Sequence, residues 1–205
     1  MKNRNKKFIY LISPTKIKNR SFYNSLNLVF RSKKVKFFQL RLKKESIKKK
    51  IIISKKVLKI CKKNKVKLII NDNPKLALEV NAHGCHLGQK DMNIIEAKKI
   101  LKNKIIGVTC HNSVRLAKKA FLNGANYIAL GSFYKTRTKK VKYTSNINTL
   151  SKIKKLMNLP VVAIGGINEK NYKKLLLNKA DFLAISGYIW NNKKLKPHQA
   201  IKNLI

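Results

Sequence analysis

Eight short apolar runs, each followed by a lysine-rich amphipathic segment, are the feature that most constrains how this chain can fold. The runs are apolar on both faces, which is typical of strands in a parallel sheet whose two sides are both covered. They lie at 8–13, 37–42, 67–71, 84–88, 105–109, 127–131, 161–165 and 182–186. Segments of helical periodicity follow at 21–32, 45–64, 73–80, 93–101, 112–124, 147–157, 168–178 and 199–205.

Regular alternation of strand and helix implies a parallel sheet with right-handed crossovers. Eight such units in a chain of 205 residues predict an α/β fold: a single compact (β/α)8 TIM barrel over 1–205, with 1–7 as a basic N-terminal tail. A doubly wound sheet is the alternative. No apolar run reaches the roughly eighteen residues of a transmembrane helix, and the first run is shorter than the core of a signal peptide. We therefore expect a cytoplasmic protein without a membrane partner.

The charge is extreme, because 49 Lys and Arg residues stand against 7 Asp and Glu residues, giving a net charge of +42. Such an excess invites a nucleic-acid interpretation. However, it is almost all lysine spread along every predicted helix, and no RNA- or DNA-binding motif accompanies it. A solvated lysine surface with no specific nucleic-acid partner is favoured. A lysine-rich nucleic-acid-binding barrel without enzymatic activity remains an alternative.

Cysteine and histidine give no sign of a metal centre. Cys61, Cys85 and Cys110 are odd in number and lack CxxC spacing, so plain burial is expected. His83, His86 and His198 have no metal-ligand spacing and are interpreted as structural or surface residues. His111 is ambiguous, because it lies close to a predicted strand end.

The strand ends carry the residues that suggest chemistry, because the active site of such a barrel is built at the carboxyl ends of its strands. Two of the only three aspartates, Asp72 and Asp91, follow the third and fourth strands, whereas Asp181 precedes the eighth strand and is expected to be structural. Hard carboxylate ligands together with substrate phosphates are the usual environment of Mg2+. Taken singly, Asp72 could equally cap the helix near Pro74, and Asp91 could be an ordinary loop carboxylate.

Cations and glycines complete the expected site. The candidate catalytic residues are Arg41, Lys43 and Lys139, which would hold a highly charged anion. Alternation along the second strand places Gln39, Arg41 and Lys43 on one face toward the barrel mouth. Glycine-rich turns after the seventh and eighth strands offer backbone N–H groups to a phosphate.

Several segments together resemble the thiamine phosphate synthases, in the wider group that includes the TenI-type thiazole tautomerases. The segments are QLRLK (39–43), IINDNPKLALEVNAHGCHLGQKDM (69–92), IIGVTCHN (105–112), GANYIALGSFYKTRTKK (124–140) and VVAIGGIN (161–168). The resemblance covers nearly the whole chain. Its departures are Thr109 where the family usually has Ser, and Ser132 and Lys135 where it commonly has prolines.

The resemblance implies an Mg2+-dependent transferase of thiamine biosynthesis. The reaction joins 4-amino-2-methyl-5-pyrimidinylmethyl diphosphate to 4-methyl-5-(2-phosphoethyl)-thiazole and gives thiamine phosphate and diphosphate. Carried over by motif, Asp72 and Asp91 would bind the metal. The pyrimidine diphosphate would be held by Gln39, Arg41, Lys43, Asn71, Thr109 and Lys139. The thiazole phosphate would be held by Thr136, Thr138, Gly166, Ser186 and Gly187.

Such a reaction is expected to be a dissociative displacement. Cations stabilise the departing diphosphate, and positioning of the thiazole nitrogen replaces a protein nucleophile. A TenI-like thiazole tautomerase with His111 as its acid–base residue is the nearest alternative, but that branch typically lacks the paired aspartates. Small phosphorylated substrates are the expected partners, and assembly into a homo-oligomer is left open.

Overall fold

The structure, a computed structural model, describes residues 8–17, 19–136 and 142–204. Within these residues, strands and helices alternate as predicted. The strands are β1 (Ile9–Ile12), β2 (Val35–Leu40), β3 (Lys67–Asn71), β4 (Gly84–Leu87), β5 (Ile105–His111), β6 (Tyr127–Gly131), β7 (Val161–Ile164) and β8 (Phe182–Ile185). The helices are α1 (Ser21–Phe30), α2 (Ile47–Lys63), α3 (Pro74–Glu79), α4 (Ile94–Leu101), α5 (Val114–Leu122), α6 (Ile147–Leu156), α7 (Tyr172–Leu177), α8 (Gly187–Trp190) and α9 (Pro197–Lys202).

The eight strands form a closed barrel in chain order. Every neighbouring pair is parallel, and β8 closes the barrel by pairing with β1, Ile9 opposite Leu183 and Leu11 opposite Ile185. The predicted (β/α)8 barrel is therefore confirmed, and the doubly wound alternative is wrong because an open sheet has two edge strands, whereas here every strand pairs with two neighbours.

Apolar side chains pack in two layers because each strand is buried on both faces. The outer layer joins the strands to the helices, and all three cysteines lie in it as free, buried thiols, as predicted. The inner layer fills the barrel and includes Tyr10, Phe37, Ile69 and Tyr127. No helix of the described part of the chain is long and apolar enough to cross a membrane. The predicted tail at 1–7 lies outside the described residues.

Element boundaries differ from prediction where side chains replace ladder hydrogen bonds. The second strand ends at Leu40 rather than Leu42, and the N–H of Arg41 donates to Ser13 Oγ at 2.9 Å. Helix α5 is capped by Ser113, whose Oγ accepts from the N–H of Leu116 at 3.2 Å. Asn112, the first residue of the predicted helical segment 112–124, lies outside the helix and accepts a hydrogen bond from the Ser145 hydroxyl. Helix α8 was not expected from the sequence.

Candidate active site

The two aspartates that follow β3 and β4 come together at the barrel mouth. Asp72 lies directly after β3 with φ of 65°, a left-handed conformation that aspartate tolerates, and its N–H donates to the carbonyl of His86 at 2.8 Å. Asp91 lies in the loop after β4, where its Oδ2 accepts from the N–H of Gly88 at 2.7 Å. The Nζ of Lys43 lies 2.9 Å from Asp72 Oδ2.

The electrostatics of this pair favour a bound cation. Partial burial raises the pKa of the Asp91 carboxyl above its ordinary value, and the neighbouring Asp72 raises it further, against the opposing effects of the Gly88 N–H and Lys43. A carboxyl whose pKa is raised by a second carboxyl reports repulsion between two negative charges. A divalent cation placed between them would relieve that repulsion.

Neither aspartate caps a helix, so the capping role considered for Asp72 is wrong. Asn73 caps α3, its Oδ1 accepting from the N–H of Leu76 at 2.9 Å. Asn93 caps α4 in the same way, accepting from Glu96 at 3.0 Å. The third aspartate, Asp181, lies at the opposite end of the barrel and accepts from Val161 N–H at 2.8 Å and Lys154 Nζ at 2.9 Å.

The residues predicted to share one face lie partly in the barrel at β2 and partly on the loop that follows it. Gln39 points into the barrel, where it is buried and its Nε2 donates to Asn71 Oδ1 at 3.1 Å. Because β2 ends at Leu40, half-buried Arg41 and exposed Lys43 lie on the loop that follows it. Lys43 nevertheless reaches the aspartates through this loop.

A cavity of about 370 Å³ adjoins Asp72 between the α2–α3 layer and the ends of β2 and β3. Lys43, Asn71 and Asp72 line it together with Lys50 and Ser54 of α2. The cavity therefore borders the carboxylate–lysine pair on the side of the helix layer.

Thr109 is held by two hydrogen bonds, one to Gln89 and one to His86. From the sequence, His86 is interpreted only as a structural or surface residue. His86 is buried in the barrel, and its Nε2 lies 2.8 Å from Thr109 Oγ1. Its Nδ1 lies 3.0 Å from the hydroxyl of Tyr127. Desolvation lowers the pKa of His86 to about 4, so the imidazole is neutral near pH 7. The side chain of Gln89 donates to the backbone carbonyl of Thr109. The period-two alternation of the segment GCHLG (84–88) was the sequence signal that His86 faces the barrel interior.

The loops after β6 and β7 pack against one another. Gly166 has φ of 63°, and a Cβ there would lie 2.3 Å from the carbonyl oxygen of Lys135, so only glycine allows this approach. The N–H of Tyr134 donates to the carbonyl of Gly165 at 3.1 Å. Half-buried Thr136 lies in this β6 loop, whereas Thr138 and Lys139 lie outside the described residues.

The residues after β8 lie at the same end of the barrel. Ser186 precedes α8 and its Oγ donates to the carbonyl of Ser13 at 3.2 Å, while Gly187 is the first residue of α8. His111, at the end of β5, has φ of 54° and its ring lies 4.3 Å from that of Tyr143.

Over the described residues, no group of three or more His, Cys, Asp or Glu side chains could hold a metal ion. A metal there would depend on two carboxylates and a ligand from the substrate.

Comparison with known proteins identifies the family of this chain. The sequence model of the family described as thiamine monophosphate synthase matches residues 9–189. The thiamine-phosphate synthase of Pelagibacter ubique is 66% identical over 200 residues, which cover 98% of this chain and 97% of that protein. The thiamine-phosphate synthase of Clostridium acetobutylicum is 38% identical, over 92% of this chain and 89% of that protein.

A solved structure from the same family has the same fold as this chain. The thiamine phosphate pyrophosphorylase from Pyrococcus furiosus superimposes with a TM-score of 0.86 and 28% identity, over 98% of this chain and 95% of that chain. The family match spans nearly the whole barrel, including the aspartates at the ends of β3 and β4. The chain therefore belongs to the thiamine phosphate synthase family of transferases.

Proposed function

We propose that the chain joins 4-amino-2-methyl-5-pyrimidinylmethyl diphosphate to 4-methyl-5-(2-phosphoethyl)-thiazole, releasing diphosphate. The observation that carries the proposal is the cluster of Asp72, Asp91 and Lys43 at adjacent strand ends, in a chain that has only three aspartates. An acidic pair beside a lysine suits a metal-bound diphosphate, and membership of the family supplies the reaction.

Asp72 and Asp91 fit Mg2+ by the chemistry of their donors. Both offer hard carboxylate oxygens, and the pKa of Asp91 is raised by partial burial and by the neighbouring Asp72, two effects that a bound divalent ion would oppose. Two carboxylates with the remaining positions left to water and phosphate are typical of Mg2+ sites. When bound, Mg2+ supplies charge neutralisation for the departing diphosphate.

The chain's own cations and polar groups would hold the pyrimidine diphosphate. Lys43 and Arg41, on the loop after β2, would contact the diphosphate, and Thr109 offers a hydroxyl from β5. Gln39 and Asn71, joined by a hydrogen bond in the barrel, lie below as polar anchors for the pyrimidine end. Lys139 would complete the site and lies outside the described residues.

The thiazole phosphate would sit across the mouth, against the loops after β6, β7 and β8. Contact between the β6 loop and the turn at Gly166 supports this, because it brings Thr136 and the Gly166 backbone to one side. Ser186 and Gly187 lie at the same end after β8, and Thr138 is assigned with them from the motif alone.

The proposed reaction needs no protein nucleophile or general base. The diphosphate leaves while positive charge develops on the pyrimidine methylene carbon, and fixed cations stabilise the negative charge on the leaving group. The thiazole nitrogen, held alongside, then donates its lone pair to that carbon. The protein's contribution is thus to orient both substrates and to exclude water between them.

The synthase is favoured over a TenI-like tautomerase by the paired aspartates, which a tautomerisation does not need. The lysine surface adds a general attraction for phosphorylated substrates, without requiring a nucleic acid. A single domain over 1–205 and location in the cytoplasm stay predictions.

The proposal is tested by mixing the purified protein with both substrates, with Mg2+ or with EDTA, and following thiamine phosphate by chromatography. Product formation only with Mg2+ is expected. Folded protein that yields no product with Mg2+ would overturn the proposal, and isomerisation of the thiazole phosphate by the same preparation would identify the tautomerase instead.

A further inference from the structure

A chain of four polar side chains crosses the interior of the barrel and ends at the active site. The Tyr10 hydroxyl of β1 lies 2.7 Å from the Tyr127 hydroxyl of β6. The Tyr127 hydroxyl lies 3.0 Å from Nδ1 of His86 on β4. Nε2 of His86 lies 2.8 Å from Oγ1 of Thr109 on β5. Tyr10 and Tyr127 are each 2% exposed, so any unpaired group at that end of the chain would be costly.

The number of donors and acceptors fixes the direction of these hydrogen bonds. In the part of the chain that the structure describes, Tyr127 is the hydrogen-bond partner of the Tyr10 hydroxyl. Tyr10 must therefore donate to Tyr127, since otherwise its own O–H would be buried without an acceptor. The Tyr127 O–H is then directed to Nδ1 of His86, which accepts. The remaining nitrogen, Nε2, carries the proton and donates to Thr109 Oγ1.

The other protonation states leave a buried donor unsatisfied. With the proton on Nδ1, His86 would donate to Tyr127, and Tyr127 would donate to Tyr10, whose O–H would have no acceptor. With both nitrogens protonated, two donors would point at the Tyr127 oxygen, and one tyrosine O–H would again be orphaned. Among the described residues, only the neutral form of His86 with a proton on Nε2 satisfies every donor of this four-residue chain.

We propose that His86 is a positioning residue, which acts by donating Nε2–H to Thr109 Oγ1 and so directs the Thr109 O–H toward the barrel mouth. A hydroxyl that accepts a hydrogen bond from the barrel interior can donate its own hydrogen toward the barrel mouth, where a phosphate oxygen can accept it. This inference rests on the proposed function, because it takes Thr109 as a ligand of the diphosphate. The side chain of Gln89 donates a hydrogen bond to the backbone carbonyl of Thr109, so both the side chain and the backbone of Thr109 are held.

The first test reads the proton position directly and does not depend on activity. In two-bond 1H–15N spectra of 15N-histidine-labelled protein near pH 7, His86 should show a protonated Nε2 and a bare Nδ1. His83 is a reference within the same spectrum, because its Nδ1 accepts from the N–H of Leu68 at 3.1 Å. The His86→Asn variant assigns the signal. The opposite tautomer or an imidazolium at His86 would overturn the proposal.

The second test asks whether His86 acts through Thr109. His86→Asn keeps an acceptor for Tyr127 but is too short to reach Thr109, whereas His86→Gln can place an amide N–H near the position of Nε2. We expect H86N to lower kcat by roughly tenfold, H86Q to restore most of it, and the KM for the thiazole phosphate to stay unchanged.

The Thr109→Val background separates positioning from general structure. Without the hydroxyl, H86N should lower kcat less than about twofold further, because its target is gone. Equal effects of H86N with and without the hydroxyl would refute the positioning role. Thr109→Ser should retain activity, and a T109V variant with unchanged kinetics would refute the role of Thr109 itself. Absence of thiamine phosphate with wild-type protein would instead refute the proposed function, while the tautomer measurement would still stand.

Discussion

Replacing Tyr127 with Phe removes one hydroxyl from the middle of the buried polar chain and should cost more than one ordinary hydrogen bond. That hydroxyl lies 2.7 Å from the Tyr10 hydroxyl and 3.0 Å from Nδ1 of His86. Its loss leaves a buried donor on Tyr10 and a buried acceptor on His86. Each orphaned group costs about 1–3 kcal/mol, so the free energy of unfolding should fall by about 2–6 kcal/mol.

The Tyr10→Phe variant is the matched control, because it removes the same group from the end of the chain. Tyr127 can still donate to His86, so no buried donor is orphaned and the expected cost is about 0.5–1.5 kcal/mol. In the double variant, the orphaned Tyr10 donor no longer exists. Y10F/Y127F should therefore be at least as stable as Y127F alone, well short of the additive loss.

Urea unfolding of the four proteins, followed by far-UV circular dichroism, measures these differences, with unchanged m-values as the check that the unfolding transition is the same. A Y127F loss no larger than that of Y10F would refute the hydrogen-bond reasoning. So would strictly additive losses in the double variant, because they would show that the two hydroxyls are not partners.

Three further predictions concern charge, packing and pH. Lys43→Ala should lower kcat/KM for the pyrimidine diphosphate by about 100-fold in steady-state assays, whereas Lys44→Ala, which removes an equally exposed neighbouring charge, should change it less than twofold. Equal kcat/KM values for the folded Lys43→Ala and Lys44→Ala variants would contradict this prediction. Gly107→Ala should lower the free energy of unfolding by at least about 2 kcal/mol, since the new Cβ would lie 1.9 Å from Cζ of Tyr127; wild-type urea stability would contradict the packing. Burial lowers the pKa of His86 to about 4, so the unfolded chain takes up the proton first as the pH falls. Wild-type stability should therefore drop, relative to H86N, by up to about 3 kcal/mol between pH 6.5 and pH 4, and parallel pH profiles would refute it.

The barrel and the aspartate pair could be predicted because both depend on position along the chain. Strands buried on both faces read as continuous apolar runs, and eight of them with intervening helices leave few ways to fold. Asp72 and Asp91 follow adjacent strands, and the ends of adjacent parallel strands are neighbours in space. The structure places the two carboxyls together beside Lys43 for that reason.

The buried polar chain could not be predicted, because two of its three links, Tyr10–Tyr127 and Tyr127–His86, join strands that are not neighbours. Alternation places Tyr10, His86 and Tyr127 inside the barrel, but it does not say which side chains meet across the interior. That depends on side-chain length and on the room that Gly107 leaves for the Tyr127 ring. The end of β2 was misplaced for a related reason, because the side chain of Ser13, the residue after β1, accepts the hydrogen bond of the Arg41 N–H.

The most direct test of the account is the Mg2+ dependence of thiamine phosphate formation by the wild type and by Asp72→Asn. Asn keeps the shape of Asp72, and the backbone hydrogen bond to His86 is retained, so the fold should be unchanged. Glu79→Gln, which removes an exposed carboxylate from the end of α3, is the control. We expect wild type and E79Q to require Mg2+ equally and D72N to lose at least about 100-fold in turnover at any Mg2+ concentration. Wild-type turnover by D72N, or full activity in EDTA, would contradict the two-aspartate metal site.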